Sequence, residues 1–101
     1  MDDYLRYFDL DCNPITMWEW SELLERPGYK IVKQTQVEEG VKVSTVWLGL
    51  NHNWGDGPPL IFETMIFGGP YDQSQWRYPN KVAALAGHDQ AVALAEEKVR
   101  R

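Results

Sequence analysis

The chain has 101 residues, 44% of them hydrophobic and 25% charged, with a formal net charge of −5. That length makes one domain around one modest core. The ten basic residues form no concentrated patch of the kind that binds nucleic acid through its phosphates, and the single cysteine, Cys12, excludes an internal disulfide and a zinc site of several thiolates.

In chain order, Tyr4-Leu-Arg-Tyr-Phe8 reads as a short aromatic edge strand. Asp9-Leu-Asp-Cys-Asn-Pro14 is a turn, dense in side chains that hydrogen-bond to nearby backbone. Thr16 and Glu19 have capping-box spacing at the start of a helix over 17–25, with Ile15 and Trp20 placed to form the staple across it. Met17, Trp20, Leu23 and Leu24 mark its apolar face, and Pro27-Gly28 stops it. Alternation from Tyr29 to Val37 predicts a strand, and Glu38-Glu-Gly40 a hairpin into the next strand, 41–50. Val41, Val43, Thr45 and Trp47 share one face of that strand; Lys42, Ser44, Val46, Leu48 and Leu50 share the other. A nine-residue loop, Asn51 to Pro59, leads to a strand over 60–67. Both strands are apolar on both faces toward this loop, which predicts a covered core or an oligomer seam there. Gln75-Trp-Arg-Tyr78 reads as a fifth strand. Pro79-Asn80 opens a last helix to about Arg100, with Val82, Leu85, His88, Val92, Ala95 and Val99 at the spacing of a packing face. Gly87 in its middle suggests close approach to another backbone. The expected fold is α+β: a mainly antiparallel sheet of three to five strands, with a short N-terminal and a long C-terminal helix packed on it.

The start, Met1-Asp-Asp-Tyr4, lacks an apolar leader, and no apolar run approaches ~20 residues. A reducing, cytoplasmic setting without membrane contact is therefore expected.

Few residues suggest chemistry. Glu63 interrupts an apolar strand; a buried carboxylate without a partner is one way to make a general acid or base. The structural alternative is a solvent-facing carboxylate or a cross-strand pair with Lys42, Lys33 or Arg77. His52 and Asp56 could pair in the loop, but no third ligand stands at metal spacing. His88 on the helix face suits a satisfied core histidine. Asp9-Leu-Asp-Cys-Asn13 opens like a calcium loop, but Pro14 stands where glycine is needed and Trp20 where a bidentate glutamate is needed. Cys12 has two aspartates beside it and no neighbouring base in sequence, an unfavourable setting for a nucleophile. Five tryptophans are many for so short a chain; most are expected in the core, with any surplus on a contact surface. Trp54 in the loop, and Trp76 and Tyr78 flanking Arg77, are the residue types enriched at binding hot spots.

Val43-Ser-Thr-Val-Trp-Leu-Gly-Leu-Asn-His52, Gly57-Pro-Pro-Leu-Ile-Phe-Glu-Thr-Met-Ile-Phe-Gly-Gly69, Gln75-Trp-Arg-Tyr78 and Ala84-Leu-Ala-Gly-His88, together with Asn13-Pro-Ile15, resemble a group of small proteins of unassigned function from actinobacteria and the bacteriophages that infect them. The resemblance covers most of the chain. Cys12 stands where glycine would suit the turn, and Asn51 where aspartate is familiar. The resemblance implies a phage or prophage context and no activity.

The expectation is a non-enzymatic protein that works by contact with a host or phage protein, as a homo-oligomer and without a cofactor. Trp47, His52, Trp54, Glu63, Trp76 and Arg77 are its candidate binding residues. Two alternatives stay open. One is a binder of a small nucleotide-like ligand, stacked on Trp47, Trp54 and Trp76 with a phosphate held by Arg77. The other is a small enzyme using Glu63 with His52 or His88.

Overall fold

A computed structural model describes residues 6–53 and 55–99; of 98 and 99 only the helical backbone is included. The fold is α+β. A four-stranded antiparallel sheet has the order β3 (Ile31–Glu38), β4 (Val41–Trp47), β5 (Phe62–Phe67), β6 (Gln75–Tyr78). Ahead of it lie a two-stranded ribbon, β1 (Tyr7–Phe8) and β2 (Pro14–Ile15), and the short helix α1 (Met17–Glu25). The long helix α2 (Lys81–Val99) closes the chain. Neither helix is long and apolar enough to cross a membrane.

Helix α1 begins where its side chains can satisfy the free N–H groups of its first turn. Glu19 N donates to Thr16 Oγ1 at 3.1 Å, and Thr16 N donates to Glu19 Oε1 at 2.9 Å. Trp20, Leu23 and Leu24 pack on the core, whereas Met17, expected on that face, is 47% exposed. The helix is anchored by the Trp20 indole, whose Nε1 donates to Leu48 O at 3.0 Å.

The hairpin forms at Glu39-Gly40, with Glu38 opposite Val41. Strand β4 ends at Trp47, three residues before the alternation does. Gly49 is the reason: its φ is +73°, and a Cβ there would overlap both the Trp47 and Trp20 rings. Leu48 N and Gly49 N both donate to Ile61 O, at 2.7 and 3.2 Å, so the ladder bulges as it breaks. The freed segment pairs instead with the N-terminal chain, through Phe8 N to Gly49 O at 2.8 Å and a Tyr7–Leu50 bridge.

Asn80 caps α2, its Oδ1 accepting from Ala83 N at 2.8 Å. The helix packs through Ala84, Gly87, His88, Ala91 and Ala95, all buried. This corrects the expected face: Val82 is 80% exposed, Leu85 and Val92 are only half-buried at its flanks, and the side chain of Val99 lies outside the described residues. Small residues let the helix settle close on the sheet. The close approach at Gly87 is to the Tyr78 ring, which a Cβ would overlap, and not to another backbone.

The core is the layer between α2 and one face of the sheet. Phe8, Trp47, Ile61, Phe62 and Ala84 cluster at one end, and Val41, Val43, Ile66, Ala91 and Ala95 at the other. Between the two clusters the layer is polar. His88 accepts or donates at both ring nitrogens, with Nε2 2.8 Å from Thr35 Oγ1 and Nδ1 2.7 Å from Thr45 Oγ1, and Thr45 Oγ1 lies 2.5 Å from Thr64 Oγ1. Threonines from three adjacent strands thus join one histidine from the helix in a single network, Thr35 and Thr45 touching His88 and Thr64 touching Thr45. His88, Thr45 and Thr64 are fully buried, and each is satisfied. The expectation of a satisfied core histidine holds.

Candidate functional site

Helix α2 covers one face of the sheet. Among the described residues the other face carries no helix except at one end, where Trp20 and Leu24 of α1 reach it. Antiparallel register sets what this face presents, because directly opposed residues share a side. One row is Gln36, Lys42 and Phe67; the next is Gln34, Ser44, Met65 and Gln75; the third is Ile31, Val46, Glu63 and Arg77. Phe67 and Ile31 are 43% and 47% exposed, with Val46 and Met65 half-buried between them. The Lys42 ammonium lies 5.6 Å from the Phe67 ring centre, and Gln34 Nε2 donates to Ser44 Oγ at 3.0 Å.

Glu63 is explained by this register. It faces Arg77 directly across β5 and β6, and Arg77 Nε donates to Glu63 Oε2 at 3.2 Å. It also points away from Thr64, and therefore away from His88. A pairing of Glu63 with His88 is blocked by the sheet itself. With His52 it makes no hydrogen bond among the described residues, its carboxylate being held by Arg77.

Beyond the third row the open face continues into a cavity of about 310 Å³. Trp20 and Leu24 form its α1 side; Val46, Trp47 and Leu48 form its β4 side. Leu50, Lys30 and His52 complete it. His52 is held by its backbone, whose N–H donates to Leu60 O at 3.0 Å. The preceding Asn51 fixes the loop, its Oδ1 accepting from Asn53 N at 2.7 Å and Leu60 N at 3.1 Å. Burial, then the nearby Arg77 guanidinium, push the His52 imidazole below its ordinary value, with Glu63 opposing them. The expected pair between His52 and Asp56 does not form a hydrogen bond among the described residues.

The candidate residues are therefore divided. His52, Glu63 and Arg77 belong to the open face and its cavity. Trp47 is 1% exposed and contributes a wall, its indole N–H donated to Phe8 O at 2.9 Å; it is a core residue and offers no stacking platform. Trp76 lies on the α2 side, opposite Thr64, where it borders a second groove of about 230 Å³ with Tyr78, Gly87 and Leu94. The sheet separates it from Arg77, so a base stacked on Trp76 could not have its phosphate held by Arg77. Trp54 lies outside the described residues. Lys30, Lys42, Phe67 and Trp20 were missed as site residues; pleat alternation would have placed Lys42, Phe67 and Arg77 together.

The calcium-like run closes on itself. Asp9 Oδ1 accepts from Asp11 N and Asn13 N, both at 2.9 Å, and Oδ2 accepts from Asn13 Nδ2 at 3.2 Å, as in an Asx turn. Cys12 sits in that turn with φ +67°, the left-handed conformation that favours glycine. Burial and then Asp9 and Asp11 push its thiol up, away from the nucleophilic form. No group of three or more His, Cys, Asp or Glu side chains among the described residues could hold a metal ion.

No protein family, characterised protein or solved structure matches the chain.

Proposed function

We propose that the protein is a non-enzymatic binding protein that acts by protein–protein contact, in a phage or prophage setting, and that the open sheet face is its contact surface. The observation that carries this reading is a reversal of charge around exposed apolar side chains. The chain as a whole has a net charge of −5. On the open face, strand positions hold Lys42 and Arg77 against the single acid Glu63, and Lys30 stands at its end. These cations surround Ile31, Val46, Met65 and Phe67. An apolar centre with a basic rim suits a host or phage protein that presents an acidic, partly apolar surface.

Fluorescence anisotropy with labelled peptides tests this directly. A peptide alternating Glu and Leu should bind, and should release as salt rises through the range in which exposed charges are screened. Its Lys–Leu counterpart should not bind. Lys42→Glu should weaken the acidic peptide severalfold. Equal binding of both peptides, or indifference to Lys42→Glu, would contradict the reading. Sedimentation separates a second copy from a foreign partner: a dimer lost on Phe67→Glu would make this face a self-interface.

A further inference from the structure

The cavity at the end of the open face has a chemistry of its own. Its aromatic walls have no polar atoms to offer. Trp20 Nε1 is committed to Leu48 O, and Trp47 Nε1 to Phe8 O. Leu24, Val46, Leu48 and Leu50 add only hydrocarbon. The two remaining lining residues, Lys30 and His52, are both bases, and no acidic residue lines the cavity among the described residues. Neither base has an ion-pair partner among the described residues, since the two ion pairs found there are Lys33–Asp89 and Arg77–Glu63. Lys30 is exposed at the rim, and the His52 imidazole makes no hydrogen bond among the described residues.

We propose that this cavity is a binding site for a small apolar carboxylate, an aromatic or branched aliphatic acid. The hydrocarbon body enters between Trp20, Leu24 and Leu50, where removal from water is favourable. The carboxylate stays at the rim, accepting from the Lys30 ammonium and from an imidazole N–H of His52. A single negative charge suits this donor set. A phosphate calls for a guanidinium fork or several converging backbone N–H groups, and no arginine lines the cavity among the described residues. At about 310 Å³ the volume lies at the small end of ligand sites, room for one ring or branched chain and little more. The loop that carries His52 is tied by Asn51, so the site is largely formed before a ligand arrives. This inference rests on the cavity and not on the contact reading above: it concerns a free acid, and its test does not involve Phe67 or Met65.

NMR titration of the isotope-labelled protein with phenylacetate, phenylacetamide and phenethylamine decides it. Phenylacetate should bind about tenfold more tightly than the neutral amide, because its charge-assisted hydrogen bonds are stronger than neutral ones. The amine should bind least. Lys30→Met should remove the preference for the acid while leaving the amide's affinity unchanged. Leu50→Trp, which fills the cavity, should abolish both. Phenylacetate should also raise the titration midpoint of His52 relative to the amide-bound protein, Arg77 and Glu63 remaining in place beside it. A peptide ending in a free phenylalanine carboxylate, compared with its C-terminal amide, identifies the source: binding of that peptide alone assigns the same carboxylate chemistry to a chain end. Equal affinities for acid and amide, or no response at Leu48, Leu50 and His52 to any probe in a protein that remains folded, would overturn the proposal.

Discussion

His88 shows how a titratable residue can be buried without becoming a site. Both ring nitrogens face hydroxyl groups, and hydroxyls rotate to serve as donor or acceptor, so either tautomer is satisfied. Neither ring nitrogen bonds a carboxylate among the described residues. Burial, and then Lys33, push the imidazole below its ordinary value, against the weaker pull of Asp89. The folded protein therefore keeps His88 neutral, while the unfolded chain takes up a proton near the ordinary value of about 6.5. Unfolded protein binds more protons between those two values, so stability rises with pH there. The stability that the neutral imidazole confers should be complete above about pH 6.5 and should decline as pH falls below it. His52, lowered for related reasons, adds in the same direction. Urea unfolding between pH 8 and 5 should show this decline, and His88→Gln should flatten it. Thr45→Val leaves Thr64 and His88 each short of a partner; unsatisfied buried groups cost about 1–3 kcal/mol apiece, so a loss of about 2 kcal/mol or more is expected by chemical denaturation. The network had a trace in the sequence. Thr45 and Thr64 are polar breaks on strand faces that are otherwise apolar, and His88 sits on a helix face. Nothing local indicated that the three strands would align them.

At the scale of elements, legibility tracks how local the determining interactions are. Helix α1 could be read residue for residue because its limits are set by Thr16, Glu19 and Pro27, all within the helix or beside it. The hairpin at Glu39-Gly40 is equally local. The end of β4 was not legible, since it depends on Gly49 meeting rings from two other elements. The packing face of α2 was misassigned because alanine, glycine and histidine do the packing, and larger Val82 draws the eye to the wrong side. Gly87 tests this account. In a free helix Gly→Ala would gain about 1 kcal/mol. Here the new methyl would overlap the Tyr78 ring, and overpacking typically costs about 1–3 kcal/mol. Gly87→Ala should therefore lower the midpoint of thermal unfolding, and combination with Tyr78→Leu should recover much of the loss. Additive effects in that double-mutant cycle would show that the two do not meet. Strand β3, an edge of the sheet, is bulged between Ile31 and Lys33 and between Gln36 and Glu38, and carries exposed Lys33. Those features discourage edge-to-edge pairing.

For the whole molecule, the organising fact is that one long helix can cover only one side of a four-stranded sheet. The α+β class and helix order followed from periodicity, but which sheet face would stay open did not, because both faces of β4 and β5 are apolar toward the loop. The region expected to be a covered core or an oligomer seam is a core on the α2 side and a cavity-bearing surface on the other. The candidate site was legible in its residue types and not in its grouping. Trp76 and Arg77 are sequence neighbours, yet the pleat sends them to opposite faces; Lys42 and Phe67 are distant in sequence and lie side by side. The proposed working surface is this open face. Its most direct measurement is a chemical-shift map of the labelled protein with the Glu–Leu peptide. Perturbations should centre on Lys42, Val46, Met65, Phe67 and Arg77 and fade across the sheet. Perturbations confined to α2 and the Trp76 groove would contradict it.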